Sequence, residues 1–261
     1  RREASWLLAR ALGVDEVRLR THPECELPAG VEALYRSWLE RRAGGEPAHH
    51  LVGSCTFWGR EFVVSPAVLV PRPETELAVE VALALPLNPT ARVVDVGTGS
   101  GCIAATLAAE RPRWRVVGAD RSLAALAVAR GNVRRLGAAV ALLQGDLLAT
   151  IAPGLDLVVA NLPYIPTDDL ARCAPEVGWD PAQALDGGED GLALVRLLLY
   201  QLSRVLRPCG GAVLELGEGQ ADVVAELAAA AGLAVARRVR DLAGCDRVVV
   251  LQMRSGDAPP S

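Results

Sequence analysis

Two short runs carry residue types that can do chemistry together. Asn161-Leu162-Pro163-Tyr164 follows an apolar segment ending at Ala160. An asparagine there offers an amide oxygen beside a backbone carbonyl, and the tyrosine offers a flat face. Such a set can grip a planar amide or amino group by its two N–H bonds. Asp95-Val96-Gly97-Thr98-Gly99-Ser100-Gly101 ends a second apolar segment. Its alternate glycines permit a tight turn and close backbone approach to a nucleotide-like cofactor. The spacing is not Gly-x-Gly-x-x-Gly, and no Gly-Lys-Ser/Thr follows, so neither a plain dinucleotide loop nor a P-loop is expected. A tight βα turn without a ligand would use the same glycines.

Three carboxylates follow apolar runs in the same way. Asp120, 19 residues after Gly101, can accept two ribose hydroxyls or cap the helix after it. Asp146 can accept from an adenine amino group or serve its own loop. Asp95 either organises the glycine loop or meets the amino group at a cofactor's amino-acid end. Pro71-Arg72-Pro73-Glu74-Thr75-Glu76 is stiffened by two prolines, and is either a solvated loop or one wall of a site.

The elements that must position these residues show in the hydrophobic periodicity. Helices are expected over 3–12 and 28–42, with a polar loop over 14–27 between them and Gly44-Gly45-Glu46-Pro47 ending the second. A hairpin is expected about Trp58-Gly59-Arg60, from Gly53 to Phe57 and from Glu61 to Val64. A helix starts at Glu74 or Thr75 and runs to about 85. Strands then fall at 92–96, 115–119, 139–143, 155–160 and 211–216, and helices at 101–110, 122–136, 191–206 and 219–231. A long polar loop covers 161–190, and strands at 234–239 and 247–252 close the chain without a helix between them. Repeated βα units predict an α/β fold with a mainly parallel sheet, covered on both faces, and the last pair predicts one antiparallel strand. Ligands bind outside the carboxyl ends of such strands, so the two runs should face one crevice.

Composition limits the alternatives. The 261 residues are 51% hydrophobic, enough for a sizeable core. The formal charge is −4, and no basic run exceeds two residues, which argues against duplex binding. All 27 basic residues are arginine, a bias of coding or heat adaptation before it is one of function. Cysteines 25, 55, 102, 173, 209 and 245 form no Cys-x-x-Cys, so reduced structural thiols and a reducing, cytoplasmic compartment are expected. His49-His50 has no ligand cluster near it in sequence; a solvated turn is expected there, and no metal. No secretory or membrane-spanning segment is expected. The start lacks a methionine, so a trimmed N-terminus is expected, as is a frayed tail from Ser255.

Asn161-Leu162-Pro163-Tyr164 closely resembles the Asn-Pro-Pro-Tyr motif of S-adenosylmethionine-dependent amino methyltransferases. Nearly the whole chain resembles the peptide chain release factor glutamine methyltransferase family. The similar runs include 42–47, 57–62, 68–76, Pro175-Glu176-Val177, 186–191 and Asp241-Leu242-Ala243-Gly244. Pro71 to Glu76 discriminates, because nucleic-acid amino methyltransferases lack that run.

The resemblance implies a class I methyltransferase sheet of seven strands, order 3-2-1-4-5-7-6. It divides the chain into a helical N-terminal domain over 1–50 that engages the release factor, a hairpin linker over 51–73, a methyltransferase domain over 74–254 and a tail over 255–261. The cofactor would be S-adenosylmethionine, met by Asp95, Gly97, Thr98, Gly99, Gly101, Asp120, Asp146 and Asn161. The acceptor would be the glutamine of a Gly-Gly-Gln loop in class 1 release factors, yielding N5-methylglutamine. Asn161, Leu162, Pro163 and Tyr164 would form the catalytic clamp, with Arg72, Pro73, Glu74, Asn161 and Tyr164 meeting the substrate. A monomer without nucleic-acid substrate is expected. The family usually has proline where Leu162 stands, so a less preorganised loop is expected, and arginine where Cys245 stands. Two other readings remain: methylation of a nucleobase or another protein amide, and a non-catalytic cofactor-binding protein.

Overall fold

A computed structural model describes residues 2–253. The frayed tail expected from Ser255 lies outside the described residues. The chain opens with helices α1 (Arg2–Leu12), α2 (Glu16–Thr21), α3 (Ala29–Ala43) and α4 (Ala48–Val52). Leu7, Trp38, Ala48 and Leu51 form a small core of their own. The segment expected to be a loop over 14–27 contains α2. Asp15 caps that helix by accepting from the Arg18 N–H at 2.7 Å, yet α2 buries no residue, so it leaves no periodic signal. The solvated turn expected at the histidine pair is instead α4, closed by Gly53 at φ 76°, and His50 is buried.

Strands β1 (Ser54–Phe57) and β2 (Arg60–Val63) form the expected antiparallel hairpin. Its edge is clasped by buried Asn132. The Asn132 Oδ1 accepts from the Val63 N–H at 2.8 Å, and its Nδ2 donates to the Val63 and Ser100 carbonyls at 2.9 Å. Residues 64–70 then seal onto the following domain through Val64, Val68 and Val70, packed with Cys55 and Ala125.

The second domain alternates α5 (Thr75–Ala84), β3 (Arg92–Val96), α6 (Cys102–Glu110), β4 (Arg115–Asp120), α7 (Leu123–Leu136), β5 (Val140–Gln144) and β6 (Leu155–Asn161). It continues with α8 (Ala193–Val205), β7 (Leu206–Glu215), α9 (Ala221–Ala230), β8 (Leu233–Arg240) and β9 (Asp246–Met253). The seven strands run β5-β4-β3-β6-β7-β9-β8, which is the expected 3-2-1-4-5-7-6. All neighbours are parallel except those of β9.

Central β6 is buried from Leu155 to Ala160, because helices cover both faces of a parallel sheet. Two apolar clusters, one per face, pack there. Leu157 and Val159 belong to one, and Val158 and Ala160 to the other, as a period of two requires. Arginines 237, 238 and 240 stud the edge strand β8, where charge discourages pairing with another chain. Strand β7 begins at Leu206, earlier than the expected 211. Pro208 and the glycines at 210 and 211 read as a turn, and the chain accommodates them with an irregular register between Leu155 and Leu157 of β6.

The expected loop over 161–190 is folded back on itself. Three short 3-10 turns punctuate it, at Thr167–Arg172, Val177–Trp179 and Ala182–Ala184. Ile165 bridges to Asp186, which returns the loop to the sheet edge.

Candidate active site

The glycine loop joins β3 to α6 across the carboxyl edge of the sheet. The Gly97 and Thr98 N–H groups donate to the Ala119 carbonyl of β4, which pins the turn to its neighbour. Gly97 stands at φ 72°, a conformation that favours glycine. At Gly101, φ 80°, a Cβ would lie 3.2 Å from the Ala129 Cβ of α7, so glycine also sets how closely two helices approach.

Asp95 organises the loop through one of its two oxygens. It is fully buried, and its Oδ2 accepts from the Thr98 hydroxyl at 2.6 Å and from the Ala104 N–H at 3.1 Å. Gly101, at the α6 N-cap, has no side chain to cap with, so a carboxylate from the strand does so. Burial pushes the Asp95 carboxyl up to about 7, against the pull of those two bonds.

Asp120 ends β4 with Oδ2 accepting from the Gly99 N–H at 3.0 Å and Oδ1 from the Ser122 N–H at 2.9 Å. It is not the helix cap, since Ser122 caps α7 by accepting from the Ala125 N–H. Each Asp120 oxygen keeps a second lone pair for a ligand.

One cleft is lined by Gly97, Thr98, Gly99, Asp120, Asp146, Asn161, Leu162, Pro163 and Arg72. The two runs singled out by their residue types therefore do share a crevice. Asp95 and Gly101 lie outside its lining, beneath the loop, and Tyr164, Pro73 and Glu74 also fall outside the lining. Pro73 and Glu74 are exposed beside Arg72. Tyr164 is half-buried; burial raises its phenol, which feels Glu215, Arg247, Arg72 and Glu74.

Asn161 closes β6, and its Nδ2 donates to the Thr75 hydroxyl at 3.0 Å. Among the described residues no hydrogen bond engages Oδ1, which is the open end of the amide. The Leu162 side chain is buried in the main core, and a Cβ on Gly97 would meet its Cδ2 at 3.3 Å. The freedom expected from losing a proline is offset by this packing. The loop is held further along by Gln220, whose Nε2 donates to the Tyr164 carbonyl at 3.0 Å while its Oε1 accepts from the Gly217 N–H at 2.9 Å.

Sequence reasoning missed two buried carboxylates. Glu215 ends β7 opposite Asn161 and is 3% exposed. Its signal was present: a lone acid in an apolar strand run. Asp180 sits in the 161–190 loop with no such signal. Its Oδ2 accepts from Arg72 Nη2 at 2.7 Å, its Oδ1 from the Val70 N–H at 3.3 Å, and His50 Nε2 stands 3.6 Å away. Burial raises the Asp180 carboxyl and lowers the His50 imidazole. Arg42 also pairs with Glu176, and Gly45 lies against Pro175 and Trp179. The helical domain thus docks on the loop that carries Asp180. Asp180→Ala removes the acceptor of the Arg72 guanidinium and of the Val70 N–H; because Arg72 is 40% exposed and water can solvate it, the expected loss is about 1–2 kcal/mol. Urea denaturation checks it; an unchanged midpoint would contradict the role. Cys245 is partly buried and, among the described residues, no group of three His, Cys, Asp or Glu is arranged to hold a metal. No helix among the described residues is long and apolar enough to cross a membrane.

A parallel sheet with its penultimate position reversed, and ligand loops at one end, is the class I methyltransferase fold. It aligns with a methyltransferase from Pyrococcus furiosus at TM-score 0.58, covering 83% of this chain and 97% of that one at 18% identity. Residues 1–53 match the PrmC N-terminal domain and residues 76–174 the methyltransferase small domain. Release factor glutamine methyltransferase from Cereibacter sphaeroides is 44% identical over 95% of this chain and 89% of its own length. That from Geobacter sulfurreducens is 42% identical over 95% of this chain and 88% of its own. The chain belongs to the release factor glutamine methyltransferase family.

Proposed function

We propose that this chain transfers the methyl group of S-adenosylmethionine to the side-chain amide nitrogen of the glutamine in the Gly-Gly-Gln motif of class 1 peptide chain release factors. The observation that carries this reading is the direction of the Asn161 amide. With Nδ2 committed to Thr75, Oδ1 is left to accept, as a clamp on a primary amide requires.

The residues suit the cofactor. The glycine loop brings backbone close to the cleft, Asp120 has lone pairs to spare for a ribose, and Asp146 lines the same cleft where an adenine amino group would be met. When bound, S-adenosylmethionine supplies an electrophilic sulfonium methyl and leaves as S-adenosylhomocysteine. The task left to the chain is positioning. An amide nitrogen is a weak nucleophile because its lone pair is delocalised. Asn161 Oδ1 and the Leu162 carbonyl accept its two N–H bonds, hold it in line and stabilise the positive charge that develops on it. Tyr164 supplies a flat face at the clamp's end, and no strong base is needed before transfer: the nitrogen gains the methyl as the sulfonium S–C bond breaks, its N–H becomes acidic, and the proton is lost to solvent. Arg72, Pro73 and Glu74 flank the approach, and residues 1–50 engage the release factor, a protein partner. A cytoplasmic monomer without nucleic-acid substrate fits this role.

Incubation with labelled methyl donor and an intact release factor tests the reading. The expected product is a single methylated glutamine, located by mass spectrometry. Transfer to DNA or RNA but not to the release factor would overturn it.

A further inference from the structure

An asparagine amide turned by half a rotation exchanges its acceptor for its donor. A clamp built on Asn161 therefore needs something that fixes which end faces the ligand. Beneath it lies Glu215, paired in register with Asn161 across β6 and β7. Glu215 is 3% exposed, and its Oε2 has no hydrogen-bond partner among the described residues. Thr75 and Asn161 both reach this carboxyl as hydrogen-bonding side chains that favour its ionised form. Asn161 Nδ2 in turn donates to the Thr75 hydroxyl oxygen. Three elements thus converge on one buried acid: the start of α5, the end of β6 and the end of β7.

We propose that Glu215 is a positioning residue: its carboxylate, acting with Thr75, fixes the Asn161 amide with Nδ2 inward and Oδ1 outward toward the acceptor. This rests on the function proposed above. An ionised carboxylate only accepts. The Thr75 hydroxyl then donates to it, and the hydroxyl oxygen is free to accept from Nδ2. A protonated carboxyl has a hydrogen to give and can bond Oδ1 instead, which admits the reversed amide. That amide would present N–H groups to the N–H groups of the acceptor.

The charges facing Glu215 bear on which form prevails. Arg247 of β9 favours the anion, while Glu74 ahead of α5 opposes it, and the neutral Tyr164 phenol lies alongside. Arg247 is itself held by Asp241 and by the Leu216 carbonyl. Burial dominates and pushes the carboxyl up to about 7. The ordering anion is therefore present above that value and lost as pH falls through it.

The test uses the full chain, an intact release factor and S-adenosylmethionine, with kcat, KM and cofactor affinity measured across pH. Wild type should show an acid limb in kcat near neutrality. Glu215→Gln should bind the cofactor normally, lose roughly 30-fold in kcat, the worth of one misdirected hydrogen bond, and lose the acid limb. Wild-type kcat and pH profile in Glu215→Gln would overturn the inference. If that variant does not fold, Thr75→Val and Thr75→Ser decide. Valine should lower kcat and serine recover most of it, and equal rates would overturn the inference. A wild-type chain that methylates no release factor overturns the proposed function along with it. Wild-type turnover with an indifferent Glu215→Gln overturns this inference alone.

Discussion

Asn161→Ala is expected to lower kcat on the order of 10²–10³-fold, the usual cost of removing one preorganised group aimed at developing charge. Its cofactor affinity should stay near that of wild type. The separation follows from where the side chain is tied. Asn161 is braced through Thr75, on the α5 side of the cleft, whereas the glycine loop is braced through Ala119 and Asp120 on β4. Alanine removes the Oδ1 acceptor without touching those loop contacts. Single-turnover kinetics at saturating cofactor, together with calorimetric cofactor binding, read the two quantities independently. A large loss of cofactor affinity with an intact maximal rate would contradict the assignment.

Asp120→Ala is expected to do the reverse, weakening cofactor binding by about 100-fold while kcat at saturation changes little. Hydrogen bonds to a charged group contribute about 1.5–3 kcal/mol each, so losing two ribose contacts reaches that size. Part of the loss comes from the loop itself, since the Gly99 and Ser122 N–H groups both donate to this carboxylate. Asp120→Asn separates the contributions: its one oxygen can still accept from Gly99, so it should recover part of the affinity but not all. Titration of cofactor into each variant measures this. Unchanged affinity in the alanine variant would rule out the ribose role.

The parts of this molecule legible in its sequence are those governed by periodicity and by loop chemistry. Strands β3 and β6 read as mainly apolar runs, interrupted by Asp95 and Asp156, because both faces of the sheet are covered. The glycine loop and Asn161 were visible because their residue types are costly to use without a purpose. Helix α2 was not visible, since a helix that buries nothing has no stripe. Helix α4 has five residues, too few to show a period. Asp120 offered two uses, a ribose contact favoured by the glycine loop before it or a helix cap, and the neighbouring Ser122 takes the capping role. Asp180 meets Arg72 across 108 residues of chain, a distance at which one sequence has no local signal. Glu215 could have been found, because a buried acid within an apolar strand demands a partner, but not what that partner is.

The contact between the helical domain and the 172–181 stretch bears on how such proteins can be recombined. By sequence, residues 1–53 and 76–174 look like two separate, exchangeable cassettes. In space, Arg42 holds Glu176, Gly45 abuts Pro175 and Trp179, and His50 faces Asp180. The inherited unit is therefore split along the chain. A hybrid that takes its first fifty or so residues from one parent should also take the Asp180 segment from that parent.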